Sequence, residues 1–251
     1  MNQSVTPALP AWDDAARQDV PYHLGQFDQP YRSTIALGRF VQSIVPRLSG
    51  NALDVGCGAG ANIHYLARQF PGCQWTGVDI AGDVLFPASA DYFRDCDPPV
   101  RLLTGDFFKL DQILEGRSFD AVFSLQTLLV LPDYERALEQ LLAATSGWLF
   151  ITSLFSDFNV DARVEVMDYT WPSQCQGPYY YNVYGLKRFL DYCREHGAKE
   201  IHVQDFEIDI DLPKPEALNF KTFTRRLEDG KRLQFTGPVY LPWKFIAIRM
   251  S

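Results

Sequence analysis

The sequence predicts an α/β fold, in which a mostly parallel sheet is covered by helices on both faces. Two observations carry that expectation. Apolar runs and helical patterns alternate along residues 31–153, and the runs are too apolar for strands buried on one side only. A glycine-rich turn (Gly56, Gly58, Gly60) then separates the first such run from the helix after it.

In chain order, apolar residues recur at helical spacing from Tyr31 to Val45, until Pro46 stops them. Strands are expected at Ala52–Val55, Gln74–Asp79, Val100–Gly105, Phe119–Ser124 and Trp148–Ser153. Helices fill the gaps at Ala61–Gln69, Gly82–Asp91, Asp111–Leu114 and Tyr134–Ala144. After Ser153 the rhythm changes to an aromatic stretch without a long helical pattern, ending near Gly185. A helix at Leu186–His196 follows, closed by Gly197 as its C-terminal cap. Glu200–Pro213 reads as a strand in which Phe206, Ile208 and Ile210 alternate with acids. Asp229-Gly230 marks a hairpin, and Lys244–Arg249 a last apolar strand.

A chain of 251 residues accommodates one large α/β domain rather than two full ones. Its net charge of -8 argues against a nucleic-acid backbone as partner. The five cysteines form no CxxC pair and no zinc spacing, the first residues lack a secretory pattern, and no apolar run reaches the length of a membrane span. The expectation is a reduced, cytoplasmic protein with no metal and no membrane anchor.

The chemistry centres on the glycine turn. Glycines let the backbone approach a ligand, and the following helix offers free N–H groups. Asp79, closing the second strand, stands where an acid grips a ribose diol. Both features also suit a dinucleotide, so an NAD-dependent reductase stays open on these residues. Asp54, just before the glycines, is awkward beside a pyrophosphate, and Gly105-Asp106 with Phe107 adds an acid and a ring at the end of the third strand. Asp54, Asp79 and Asp106 together predict an acidic crevice suited to a cationic nucleoside without phosphates.

In this order, "LDVGCGAG", "VDI", "TGDFF" and "FDAVFSLQTLLVLPD" resemble the class I S-adenosylmethionine-dependent methyltransferases over Ala52–Ser153. The resemblance implies a three-layer, Rossmann-like, doubly wound sheet of seven strands, the last antiparallel, with substrate-covering insertions after strands 5 and 6. Residues 1–30 would then be a leader or lid, and 31–251 a single domain with insertions at about 154–185 and 207–242. S-adenosyl-L-methionine would lie on Asp54, Gly56, Cys57, Gly58 and Gly60. Asp79 and Ile80 would hold its ribose, Gly105, Asp106 and Phe107 its adenine, and Leu125 and Gln126 would flank the sulfonium. The flanks, including "ITSLFSD" and "RLEDGKRLQFTGPVYLPWKF", resemble small methyltransferases of bacterial surface-polysaccharide gene sets, which implies a sugar-type acceptor.

Other residues are read against plainer roles. Cys57 reads as a packing residue, since no basic partner is spaced to activate it. His64 and His196 read as helix residues, and the basic run Lys221–Arg232 as a solvated hairpin. The N-terminal segment brings Tyr22, His23, Tyr31 and Arg32 within reach of the pocket, and Tyr179, Tyr180 and Tyr181 offer a stacking surface or lid. Candidates for a catalytic base are His23, Asp157, Asp168 and Tyr169. The expected activity is O- or N-methylation of a sugar or related small molecule by a monomer or homodimer, with a non-catalytic nucleoside-binding module as the further alternative.

Overall fold

The computed structural model describes residues 17, 20–131, 134–167, 179–216 and 221–251. Two helices come first, α1 (Val20–Asp28) and α2 (Arg32–Ile44). Then β1 (Ser49–Val55), α3 (Ala61–Gln69), β2 (Gly72–Asp79), α4 (Gly82–Phe93), β3 (Arg101–Thr104), the short α5 (Leu110–Ile113), β4 (Phe119–Leu125), α6 (Tyr134–Ala144) and β5 (Thr145–Ser156) alternate as expected. The second half holds β6 (Glu165–Val166), β7 (Tyr179–Tyr180), β8 (Tyr184–Gly185), α7 (Leu186–Glu195), β9 (Glu200–Asp205), β10 (Thr222–Arg226), β11 (Arg232–Thr236), β12 (Val239–Tyr240) and β13 (Trp243–Arg249).

The main sheet runs β3-β2-β1-β4-β5-β13-β9, with β8 pairing onto the end of β5. Neighbours from β3 to β5 are parallel, while β13 lies antiparallel between β5 and β9. This is a Rossmann-like sheet of seven strands whose last strand is antiparallel. The order reverses between β1 and β4, so the carboxyl ends of those strands flank a crevice, the usual ligand position in open α/β sheets.

Alternation along the strands builds two cores. Leu53, Val55, Val122, Ile151 and Ile246 pack with Leu138, Leu141 and Phe189 of α6 and α7. On the other face, Ala52, Trp75, Phe123, Phe150 and Phe245 pack with Leu37, Val41, Ile63 and Leu66 of α2 and α3. Trp75, Phe123 and Phe150 form a run of rings with centroids 5.1 Å and 4.9 Å apart. Burying each such side chain contributes roughly 1.5–3 kcal/mol, so this run fixes the sheet's centre firmly.

Within the segment 1–30 expected as a leader or lid, residues 20–28 form α1, which docks Phe27 on the Tyr92 ring at 4.0 Å. With one buried residue, Pro21 and Gly25, this helix has no apolar stripe to announce it. The strand predicted over Glu200–Pro213 stops at Asp205, because its partner β13 begins at Trp243 and offers no further ladder. Phe206 and Ile208 still turn inward, so their alternation reports burial without pairing. The chain between β9 and β13 instead carries a separate three-stranded sheet, β10-β11-β12, turned at Asp229-Gly230 with Gly230 at φ 86°. At the end of α7, Gly197 takes φ 97° and the Ala198 N–H donates to Cys193 O, closing the helix as its glycine predicts.

Candidate active site

The carboxyl ends of β1 to β4 open into a cavity of about 230 Å³, covered by α1 and the start of α2. Its floor is the loop between β1 and α3. Gly56 and Gly58 lie at φ 77° and 56°, a region that suits glycine. The loop is tied to β2, since the Gly56 and Cys57 N–H groups both donate to Val78 O.

Asp79 closes β2 and faces this floor. One carboxylate oxygen accepts from the Gly58 N–H at 2.7 Å and the other from the Ala81 N–H at 2.9 Å. These two N–H donors hold the carboxylate in place at the edge of the cavity. Ile80, Gly105 and Phe107 continue the lining on one side, and Leu125 and Gln126 on the other. Gln126 stands at φ 60°, unusual for a side chain with a Cβ, with its amide donating to Ser33 Oγ at 3.0 Å and its N–H to Thr152 O. Such strain persists only where the surroundings enforce it.

The predicted acidic crevice is corrected in two places. Asp54 lies on the face of α2 and α3, in register with Gly77 and Phe123, fully buried and outside the cavity wall. Neither of its oxygens has a hydrogen-bond partner. Desolvation, with Asp79 adding repulsion, pushes its carboxyl up to about 8, so it is mostly neutral at pH 7. Asp106 points along its own chain: it accepts from the Phe108 N–H at 3.0 Å, caps the tight turn Phe107–Lys109, and has Lys109 4.0 Å away. Among the described lining residues, Asp79 alone supplies a carboxylate.

Cys57 lines the cavity, but burial, Asp79 and Asp54 push its thiol well up, so it stays a packing thiol. Gly60 is absent from the wall. It caps α3 at φ 90°, and a Cβ there would meet the Phe93 ring at 2.7 Å. His23 does reach the site, its Nδ1 standing 3.1 Å from where a Gly58 Cβ would be. Tyr22 and Tyr31 join it on the wall.

Other candidates stand elsewhere. Arg32 is exposed and pairs with Asp209 at 3.5 Å. Asp157 is exposed and pairs with Lys244 at 3.1 Å, so neither belongs to the cavity. Asp168 and Tyr169 lie outside the described residues. Tyr179 and Tyr180 form β7, and Tyr180 is not on the cavity wall. Tyr181 packs beside Leu129, Leu154 and Leu241, where burial pushes its phenol up to about 12. The basic hairpin is largely solvated, with Arg226 and Arg232 sharing Asp211 at 2.6 and 2.7 Å.

Sequence reasoning missed Gln26, Asn62, Thr127, Val130 and Leu131, all on the wall. Asn62 was findable, as it sits in the first turn of the helix that the glycines open. Thr127 was not: its methyl and hydroxyl fill the space that the missing Gly56 Cβ leaves, a contact between distant strand ends. No group of three or more His, Cys, Asp or Glu residues able to hold a metal exists among the described residues. Nor is any described helix long and apolar enough to cross a membrane.

Residues 52–146 match the model of a family described as a methyltransferase domain. An uncharacterized methyltransferase of Mycobacterium tuberculosis is 35% identical over 114 residues, 45% of this chain and 54% of that protein. The trans-aconitate 2-methyltransferase of Deinococcus radiodurans is 33% identical over 117 residues, 46% of this chain and 42% of that protein. The chain thus spans about half the length of the curated relatives it matches. Among solved structures, magnesium protoporphyrin IX methyltransferase of Synechocystis, with bound S-adenosylmethionine, superposes with a TM-score of 0.60 at 12% identity, covering 98% of this chain and 100% of the other. The 1,6-didemethyltoxoflavin-N1-methyltransferase of Burkholderia thailandensis gives 0.59 at 18% identity, covering 99% and 93%. At these identities the likeness is one of fold.

Proposed function

We propose that this chain is an S-adenosylmethionine-dependent methyltransferase acting on a hydroxyl or amine of a small molecule, a sugar or related metabolite. The observation that carries the reading is Asp79, pinned by the Gly58 and Ala81 N–H groups at the floor of a glycine-lined cavity. The residues fit the cofactor. Gly58 leaves open the space beneath His23 that a Cβ would crowd, Asp79 presents a carboxylate to the cavity where ribose hydroxyls would lie, and Phe107 offers a ring beside Gly105 for adenine.

When bound, the cofactor supplies a methyl group on a sulfonium. The chain's task is to orient the acceptor in line with it and keep water out, and orientation alone can supply several kcal/mol. Leu125, Val130 and Leu131 make the apolar side of the wall, while Tyr22, Gln26, Tyr31 and Gln126 offer hydrogen bonds suited to a polyhydroxylated acceptor. The His23 imidazole takes the acceptor's proton. The flanking segments' resemblance to polysaccharide-associated methyltransferases supports the sugar reading. The free thiols of Cys57, Cys73, Cys96 and Cys193 favour a reducing, cytoplasmic setting.

Isothermal calorimetry tests the reading, with saturable binding of S-adenosylhomocysteine expected and none of NADH. Asp79→Ala is expected to weaken that binding by roughly tenfold or more, the loss of a charge-assisted hydrogen-bond acceptor. Undiminished affinity in the variant would sink it.

A further inference from the structure

We infer that the methyl acceptor bears no carboxylate or phosphate: the cavity is built for an uncharged or amine-bearing molecule. The inference rests on the methyltransferase reading of the site and adds the charge class of what sits opposite the cofactor.

Among the described residues the cavity wall contains no Lys and no Arg. In sequence, the segments outside the described residues contain no Lys or Arg, while they include Asp13, Asp14, Asp19, Asp133 and Asp168. Three cations close in the chain to wall residues are engaged by carboxylates. Arg17 donates to both oxygens of Asp83 at 2.7 and 2.8 Å and to Ile80 O at 3.3 Å, Arg32 pairs with Asp209 at 3.5 Å, and Lys109 stands 4.0 Å from Asp106. Lys244 is held between Asp157 and Asp205.

An anion entering such a cavity gives up its water, and no guanidinium or ammonium side chain on the described wall offsets the loss. In the apo protein it also meets the Asp79 carboxylate, which faces the cavity. The cofactor's own carboxylate travels with its ammonium and sulfonium and brings no net negative charge. This sets the chain apart from its Deinococcus relative, whose named substrate is a tricarboxylate.

The test is calorimetric titration of trans-aconitate, glucuronate and methyl glucoside into the apo protein and into the protein loaded with S-adenosylhomocysteine. Neither anion is expected to give saturable heat in either state, and saturable binding of either would overturn the inference. In parallel, a metabolite extract is split on an anion exchanger and each fraction is incubated with methyl-labelled S-adenosylmethionine. Label is expected in the unretained fraction at roughly tenfold or more over the retained one, as like-charge exclusion predicts. The reverse ratio would overturn the inference. Failure of S-adenosylhomocysteine itself to bind strikes the methyltransferase reading instead, and the apo titrations still decide the charge question.

Discussion

Gly56 and Gly58 stand two residues apart with similar backbone angles, yet a side chain would meet different things at each. A Cβ on Gly56 overlaps the Thr127 hydroxyl and methyl, deep between strand ends. A Cβ on Gly58 points at His23 across the cavity floor. Both alanines incur the left-handed penalty of about 1–2 kcal/mol. Gly56→Ala adds a core clash and is expected to melt at a markedly lower temperature than Gly58→Ala. The latter should keep most of its stability while losing S-adenosylhomocysteine affinity. Equal melting losses, read beside calorimetry, would contradict this division.

Asp54 makes a second prediction at this scale, and its sign is set by linkage. The buried carboxyl keeps its proton up to about pH 8, whereas its unfolded value is 3.8. Across that window the native state holds the extra proton, so stability is greatest below it and falls as pH rises toward 8. The slope is up to about 1.4 kcal/mol per pH unit. Asp54→Asn should remove this decline in denaturant titrations run from about pH 5 to 8. Parallel curves for the two proteins would show that Asp54 ionises normally.

At the scale of elements, the acceptor side of the wall hangs on one short strip of the cover. The Asn182 N–H donates to Leu129 O, its side-chain amide to Leu131 O at 2.9 Å, and the Tyr184 hydroxyl lies 2.9 and 3.0 Å from Leu128 O and Leu131 O. Both residues are buried, and the turn they hold, Leu128–Val130, leads into the wall residues Val130 and Leu131. Tyr184→Phe leaves these carbonyls short of a donor and should cost about 1–3 kcal/mol in urea unfolding. Hydrogen exchange should quicken at the Val130 and Leu131 amides, with S-adenosylhomocysteine affinity unchanged because Asp79 and the glycine loop are untouched. A fall in that affinity would show that the strip supports the cofactor side too.

For the whole molecule, the sheet and its two cores form a frame onto which α1 is laid. α1 meets the frame through α3 and α4, with Phe27 among Ala59, Ala61, Ala81 and Leu85. Phe27→Ala is therefore expected to lower the unfolding midpoint by less than the roughly 3–5 kcal/mol of a central phenylalanine, since the helix can release locally. It should weaken S-adenosylhomocysteine binding, because Tyr22, His23 and Gln26 ride on the same helix. A full central-core loss would mean that α1 folds as one unit with the sheet.

Much of this frame was legible in the chain. α3 and α6 begin and end where capping glycines, apolar spacing and the next strand place them, and the strands were found within a few residues because burial on both faces leaves a continuous apolar run. Gly56, Gly58, Asp79 and Phe107 could be assigned to the crevice from strand ends, since a parallel sheet delivers all its carboxyl ends to one edge, while Gln126 was placed there by the family resemblance. Local pattern does not say which way a side chain turns at that edge. Asp54 falls on the buried face through strand alternation, and Asp106 bends back to cap its own turn, so two of three predicted charges never reach the cavity. Nor does it record a helix held by one docked ring, or a threonine filling the space beside a glycine seventy-one residues away. The sequence by itself determined the order of layers and the position of the crevice, through periodicity and glycine. Only the tertiary structure decided the crevice's charge and its lining, because both depend on contacts between residues far apart in the chain.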